Sequence, residues 1–203
     1  MNTREKILET AIDMFSVKGY NDVSIRDITR AVGIKESSLY NHFTSKQQIL
    51  DEIFEYLVRQ FDSMTIPGEE AARLIEEADP EEFMEMCLMN FRMYFGDPKL
   101  IRIWRIISIE RFRNKQANDF FLYHFIDYPF EYQAKVFEAM MKKGLIIETD
   151  PMVLARESYS FMLMIYLRYF AVDSVLKNPV DDPLIQQMIR EHMQFLLRAM
   201  AKK

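Results

Sequence analysis

Apolar positions recur with a helical period along most of the chain. Ile7, Leu8, Ala11, Ile12 and Phe15 form one stripe. Leu100, Ile103, Trp104 and Ile107 form another, spaced i, i+3, i+4, i+7. Phe130, Ala134, Phe137 and Met141 make a third, and Leu184, Met188, His192 and Phe195 a fourth. No segment alternates apolar and polar residues as a half-buried strand does. Asp79-Pro80, Asp97-Pro98, Asp150-Pro151 and Asp182-Pro183 each place a capping acceptor before a proline at the first helical position. There the missing N–H would be unpaired anyway. Pro129 falls inside an otherwise helical stretch (about 117–143) and is expected to kink or divide it. The pattern predicts an all-α protein with about nine helices.

The first fifty residues carry a different message. A helix over about 3–18 ends at Gly19, and a short loop follows. Ser24 with Asp27 reads as a capping box for a helix that has Ile25, Ile28 and Val32 on one face. Gly33 stops that helix, and another begins at Lys35 after a tight turn, so the pair forms a helix-turn-helix. The second helix, Lys35–Phe43, is about 13 Å long at ~1.5 Å per residue and suits a major groove ~12 Å wide. Leu39 and Phe43 share a face and should anchor it. Ser37 and Asn41 fall opposite, flanked by Ser38 and Tyr40, and these side chains donate and accept as base edges and phosphates require. His42 projects nearer the anchored side, where geometry directs it to a phosphate, and Glu36 either accepts from a cytosine amine or, the favoured reading, faces solvent. Ser45 and Gln48 suggest a second capping box, with Lys46 in the first turn. A helix start with a lysine suits a phosphate by both dipole and charge. Lys46 is thus one expected backbone clamp, and the Ser24 helix start with Arg26 is the other.

Residues about 3–50 resemble the DNA-binding head of the TetR (tetracycline-repressor) family of transcriptional regulators. The resemblance runs through Ala11, Phe15, Gly19-Tyr20, Ser24-Ile25, Ile28 and Ala31-Val32-Gly33-Ile34. It continues through Ser38-Leu39-Tyr40, His42-Phe43, Ser45-Lys46 and Leu50. It implies that Lys35–Phe43 is the recognition helix and that Tyr40, His42 and Lys46 meet the phosphate backbone. Lys35 stands where the family more often has serine or threonine, and Glu36 where a basic residue is frequent. The resemblance also implies an all-helical C-terminal part that dimerises and often binds a small effector. The expected organisation is a three-helix DNA-binding domain over 1–47, a connecting helix over 48–66 and a helical effector-binding and dimerisation domain over 67–203.

Charge and composition modify this picture only slightly. The net charge is −5, yet residues 1–50 hold seven Lys/Arg against six Asp/Glu, and the remainder holds 19 against 25. A DNA-facing head on an acidic body is permitted. Cys87 stands alone, so no internal disulfide framework or all-cysteine zinc site is possible, and it is expected to be a small buried hydrophobe. The charged N-terminus lacks the apolar centre of a signal peptide. The run at 161–167 is far below the ~18 apolar residues that span a bilayer. The expectation is a cytoplasmic protein without a membrane partner.

Fifteen methionines and many central aromatics suggest a cavity for an apolar or aromatic effector. Its candidate lining is Phe91, Tyr94, Trp104, Tyr123, His124, Met162 and Tyr166. The apolar helices over 151–176 and 183–200 are expected to pair two subunits through Tyr159, Leu163, Phe170, Ile185, Ile189, His192 and Leu196. A homodimer presents two recognition helices about one DNA turn (~34–36 Å) apart, so a near-palindromic operator is expected. No cofactor is expected, and no metal, since none of His42, His124 and His192 has a glutamate three residues before it. No phosphate loop or nucleophile elbow points to an enzyme. The alternatives are a DNA-binding protein without a small effector, architectural or protein-controlled, and a helical-bundle enzyme.

Overall fold

The computed structural model describes residues 1–64, 89, 96–170 and 182–201. The readings of Asp79-Pro80, Cys87, Phe91 and Tyr94 lie outside them, as do the boundary at 66/67 and the side chain of Phe170. The described elements are all helical. They are α1 (Thr3–Lys18), α2 (Ile25–Val32), α3 (Glu36–Tyr40), α4 (Lys46–Met64), α5 (Pro98–Glu110), α6 (Lys115–Phe121), α7 (Tyr128–Lys142), α8 (Pro151–Ile165) and α9 (Pro183–Met200). Widened π turns span Leu122–Asp127 and Tyr166–Phe170.

Two compact units result. One holds Met1–Met64 and Pro98–Asp119, and the other holds the described residues 89, 96 and 97 and those from Phe120 onward. Helix α5, which the sequence boundaries group with the effector-binding part, therefore shares a unit with the helix-turn-helix. The reason is its apolar stripe: Leu100, Ile103, Trp104 and Ile107 are all buried, and α1 is its main neighbour. Ion pairs border that contact. Arg102 bridges Glu9 at 2.6 Å and also meets Asp13, while Lys99 lies 3.3 Å from Glu9.

Local signals start the helices of the first unit. Asn2 caps α1, exchanging hydrogen bonds with Glu5 in a capping box. Ser24 caps α2: its hydroxyl accepts from the Asp27 N–H at 3.1 Å, and Asp27 accepts from the Ser24 N–H at 3.0 Å. The helix ends at Gly33 with φ 79° and ψ 33°, a left-handed conformation that glycine adopts without penalty. Only Ile34 and the cap Lys35 separate it from α3.

In the second unit Pro129 has the expected effect. It lies in the first turn of α7, directly after the π turn over Leu122–Asp127. A proline ring clashes with the carbonyl four residues earlier and brings no N–H for it. That carbonyl belongs to Phe125, and the Tyr159 hydroxyl of α8 donates to it at 3.0 Å. The Asp150 carboxylate accepts from Met152 N and starts α8, and the Asp182 carboxylate accepts from Leu184 N and starts α9. A core of Ala134, Phe137, Met140, Ile146, Leu196 and Met200 joins α7, the following loop and α9. The Ile147 N–H donates to the Met200 carbonyl at 3.0 Å, satisfying one acceptor at the end of α9.

The buried face of α9 differs from the expected stripe. Leu184 and Phe195 are 56 % and 66 % exposed, whereas Ile185, Ile189, Leu196 and Met200 are buried. Adjacent faces of this helix are both apolar, so periodicity did not separate them.

Two stability effects are expected. Tyr159→Phe removes the hydroxyl that donates to the Phe125 carbonyl and should destabilise the protein by ~1–2 kcal/mol in urea unfolding. Ser24→Ala should cost about 1 kcal/mol. The Ser24 hydroxyl, then its backbone N–H, holds the Asp27 carboxyl below its usual value of 3.8. A depressed carboxylate contributes fully above the unfolded value and loses its contribution as pH falls through the folded one. The difference between wild type and Ser24→Ala should therefore narrow below about pH 4 in pH-dependent unfolding.

Candidate nucleic-acid interface

Helix α3 is only five residues long, and a turn carries the chain on to Phe43, whose N–H donates to the Leu39 carbonyl at 3.0 Å. The expected helix over Lys35–Phe43 is thus shortened at its end. At Asn41 ψ opens to −14°, and the His42 N–H reaches Leu39 three residues back. Leu39 and Phe43 are buried, as an anchor requires, and the Arg4 guanidinium lies 4.8 Å above the Phe43 ring. The opposite face is open. Lys35, Ser37 and Asn41 are exposed, Tyr40 is 52 % exposed, and Ser38 and His42 are half-buried. Lys35 has no acceptor side chain and leaves α3 without a side-chain cap. Ser24 and Arg26 are exposed at the start of α2. Glu36 faces solvent.

Helix α4 starts at Lys46, with the Gln48 N–H donating to the Ser45 hydroxyl at 3.1 Å. The Gln48 side chain reaches Thr44, accepting from its N–H at 2.5 Å, one residue before the expected partner. Lys46 is turned inward. Its ammonium donates to the carbonyls of Tyr20 at 2.8 Å and Val23 at 2.9 Å, and lies 4.0 Å above the Tyr20 ring. Burial pulls its pKa down, with Glu110 and Asp22 opposing. Tyr20 is the residue that sequence reasoning missed. Its ring meets Phe15 edge-on at 5.4 Å, and its hydroxyl donates to Gln47 at 3.3 Å. Its N–H donates to the Glu110 carboxylate at 2.8 Å. Gly19-Tyr20 stood in the motif, but nothing local marked a partner ninety positions away.

The other candidate sites fare differently. Trp104 is 1 % exposed and packs edge-on against Phe61 at 5.4 Å within the first unit. Tyr166, also 1 % exposed, meets Phe125 at 4.4 Å in the second. Both are buried core positions. His124 and Tyr123 are brought together, with ring centroids 4.8 Å apart, and Phe120 lies 4.3 Å from His124. Tyr123 is exposed, and His124 and Met162 are half-buried.

Of the pairing residues, Ile185, Ile189 and Leu196 are buried in their own subunit and leave no surface for a second. Tyr159 is committed to Phe125, and Leu163 is half-buried. His192 stacks on Phe161 at 4.1 Å and bonds the Ser158 carbonyl, with its pKa lowered by burial. Exposed apolar side chains among the described residues of these helices and the adjoining π turn are Val153, Met164, Leu167, Leu184 and Phe195.

Known proteins resemble this chain in sequence over its first part and in fold over most of its length. Residues 7–53 match the sequence model of bacterial regulatory proteins of the tetR family. The biofilm operon icaADBC HTH-type negative transcriptional regulator IcaR of Staphylococcus aureus (strain Newman) is 43 % identical over 58 residues, 27 % of this chain. The match spans 31 % of that relative's length. Among solved structures, the TetR family transcriptional regulator PfmR from Thermus thermophilus superposes with a TM-score of 0.61 at 25 % identity. That superposition covers 95 % of this chain and 97 % of PfmR. AibR in complex with isovaleryl coenzyme A and operator DNA gives a TM-score of 0.64 at 20 % identity, covering 97 % of this chain and 98 % of AibR. The helix-turn-helix geometry and the match over residues 7–53 identify this segment as similar to the DNA-binding head of tetR-family regulators, and the superposition on PfmR extends the likeness in fold to the rest of the chain.

Proposed function

We propose that the protein is a DNA-binding transcriptional regulator of the cytoplasm, acting as a homodimeric repressor that a small apolar or aromatic effector releases from a near-palindromic operator. The supporting observation is the division of α3, which buries Leu39 and presents Ser37, Tyr40 and Asn41 outward. An exposed polar helix on an anchored base is what groove reading needs. IcaR is a negative transcriptional regulator by name, and AibR was solved with both operator DNA and a small ligand. No helix among the described residues is long and apolar enough to cross a membrane. The reading assigns binding rather than catalysis.

Pairing of subunits would use the exposed side of α9, with Leu184 and Phe195, and Met164 on α8, rather than the buried side first expected. Exposed apolar groups of this size favour coverage by a partner. Release by an effector requires unequal affinity for the two states, and a coupling of ~1–3 kcal/mol changes DNA affinity ~5–150-fold. The second reading, DNA binding without a small effector, is favoured by the closed packing of Trp104 and Tyr166.

Selection from random duplex DNA should recover a near-palindrome, and Tyr40→Phe should bind it roughly 5–10-fold more weakly in gel shifts. Affinity should fall steeply with salt. Phe195→Glu should convert dimer to monomer in sedimentation and weaken DNA binding. No recovered sequence, or a wild type monomeric at all concentrations, would refute the proposal.

A further inference from the structure

We infer that Lys46 and Glu110 are positioning residues that clamp the two sides of Tyr20, and through it set the DNA-reading helices, rather than Lys46 meeting a phosphate. The inference refines the role of one residue in the proposed DNA interface, and its DNA readout rests on that reading.

Tyr20 is held on both of its backbone faces. Its N–H donates to Glu110 Oε1 at 2.8 Å, and its carbonyl accepts from Lys46 Nζ at 2.8 Å. Glu110 is 2 % exposed. A carboxylate so buried needs a charged or hydrogen-bonded complement. The Tyr20 N–H supplies one, and the attraction between Glu110 and Lys46 supplies another. Lys46 gives a second N–H to Val23 at 2.9 Å and rests its charge on the Tyr20 ring. Two of its three donors are therefore engaged, and the ring covers part of the ammonium.

The preceding residue makes this approach possible. Gly19 has φ 82° and ψ 160°, a conformation open essentially to glycine alone. A Cβ there would lie 3.3 Å from both Glu110 Oε1 and Ile109 Cγ2.

The clamp sits at a junction of three elements. Val23 is buried beside Ser24, the cap of α2, so the loop fixes where α2 begins. Lys46 opens α4 three residues after Phe43, the anchor of the recognition segment. Glu110 ends α5, which α1 already grips through Arg102 and Lys99. Any displacement of the end of α5 must therefore pull on the loop that orients α2, by a path distinct from the connecting helix α4.

The test uses the full chain with Lys46→Met, Glu110→Leu and Glu110→Gln. In the free protein, hydrogen exchange at the Tyr20 amide, followed by NMR, should be at least about tenfold faster in Glu110→Leu and in Lys46→Met. Glu110→Gln keeps an acceptor oxygen and should recover much of the protection. Unchanged exchange in both disruptive variants overturns the clamp, whatever the protein does with DNA. On the duplex recovered by selection, both disruptive variants should bind roughly tenfold more weakly, with the wild-type slope of log K against log salt. A slope shallower by about one in Lys46→Met alone would make Lys46 a phosphate contact and overturn the assignment. A wild type that binds no selected duplex refutes the regulator reading, while exchange still decides the clamp.

Discussion

A five-residue helix does not hold itself together, because its first turn orders several residues for one hydrogen bond. Helix α3 persists because Leu39 and Phe43 are buried beneath it. The rest of the first unit can be understood as support for those two side chains. Ile7, Ile12 and Phe15 of α1 and Ile49, Leu50 and Ile53 of α4 are buried in the same unit. With the anchor in place, the outward residues of α3 need no packing role. They are free to be polar, which groove reading demands.

Support extends beyond the helix-turn-helix. Helix α5 follows the first four helices after a long stretch of chain, yet it packs on α1 and carries an ion-pair border with Glu9 and Asp13. The exposed pairs in that border contribute little each. The buried stripe of α5 supplies the main attraction, at about 25 cal/mol per Å2 of apolar surface removed from water. The polar contacts then fix register. In the second unit the analogous polar fixing point is Tyr159, which answers the carbonyl that Pro129 cannot serve.

Much was legible locally. The Ser24–Asp27 box, the Asp150 and Asp182 caps and the interruption around Pro129 all formed where residue order placed them. Each depends on groups within about five positions, where the backbone itself brings partners together. The exposed face of α3 was legible for a related reason: Leu39 and Phe43 were the apolar pair at helical spacing, so the remaining side had to face out. Helix α9 shows the limit of that logic. It carries apolar residues on neighbouring faces, and periodicity chose Leu184 and Phe195 where burial chose Ile185 and Ile189.

By itself the chain of residues determined helix starts, helix stops and the character of the reading face, since these follow from contacts a few positions apart. Tertiary structure alone decided where long side chains spend their donors. Lys46 has the charge and position of a phosphate clamp, but its ammonium donates to two carbonyls and lies over a ring. Trp104 offers a large stacking surface in sequence but is buried in space, with Phe61 of α4 edge-on against it. A flexible side chain takes the partner that folding brings within reach, and no local pattern records which partner that is.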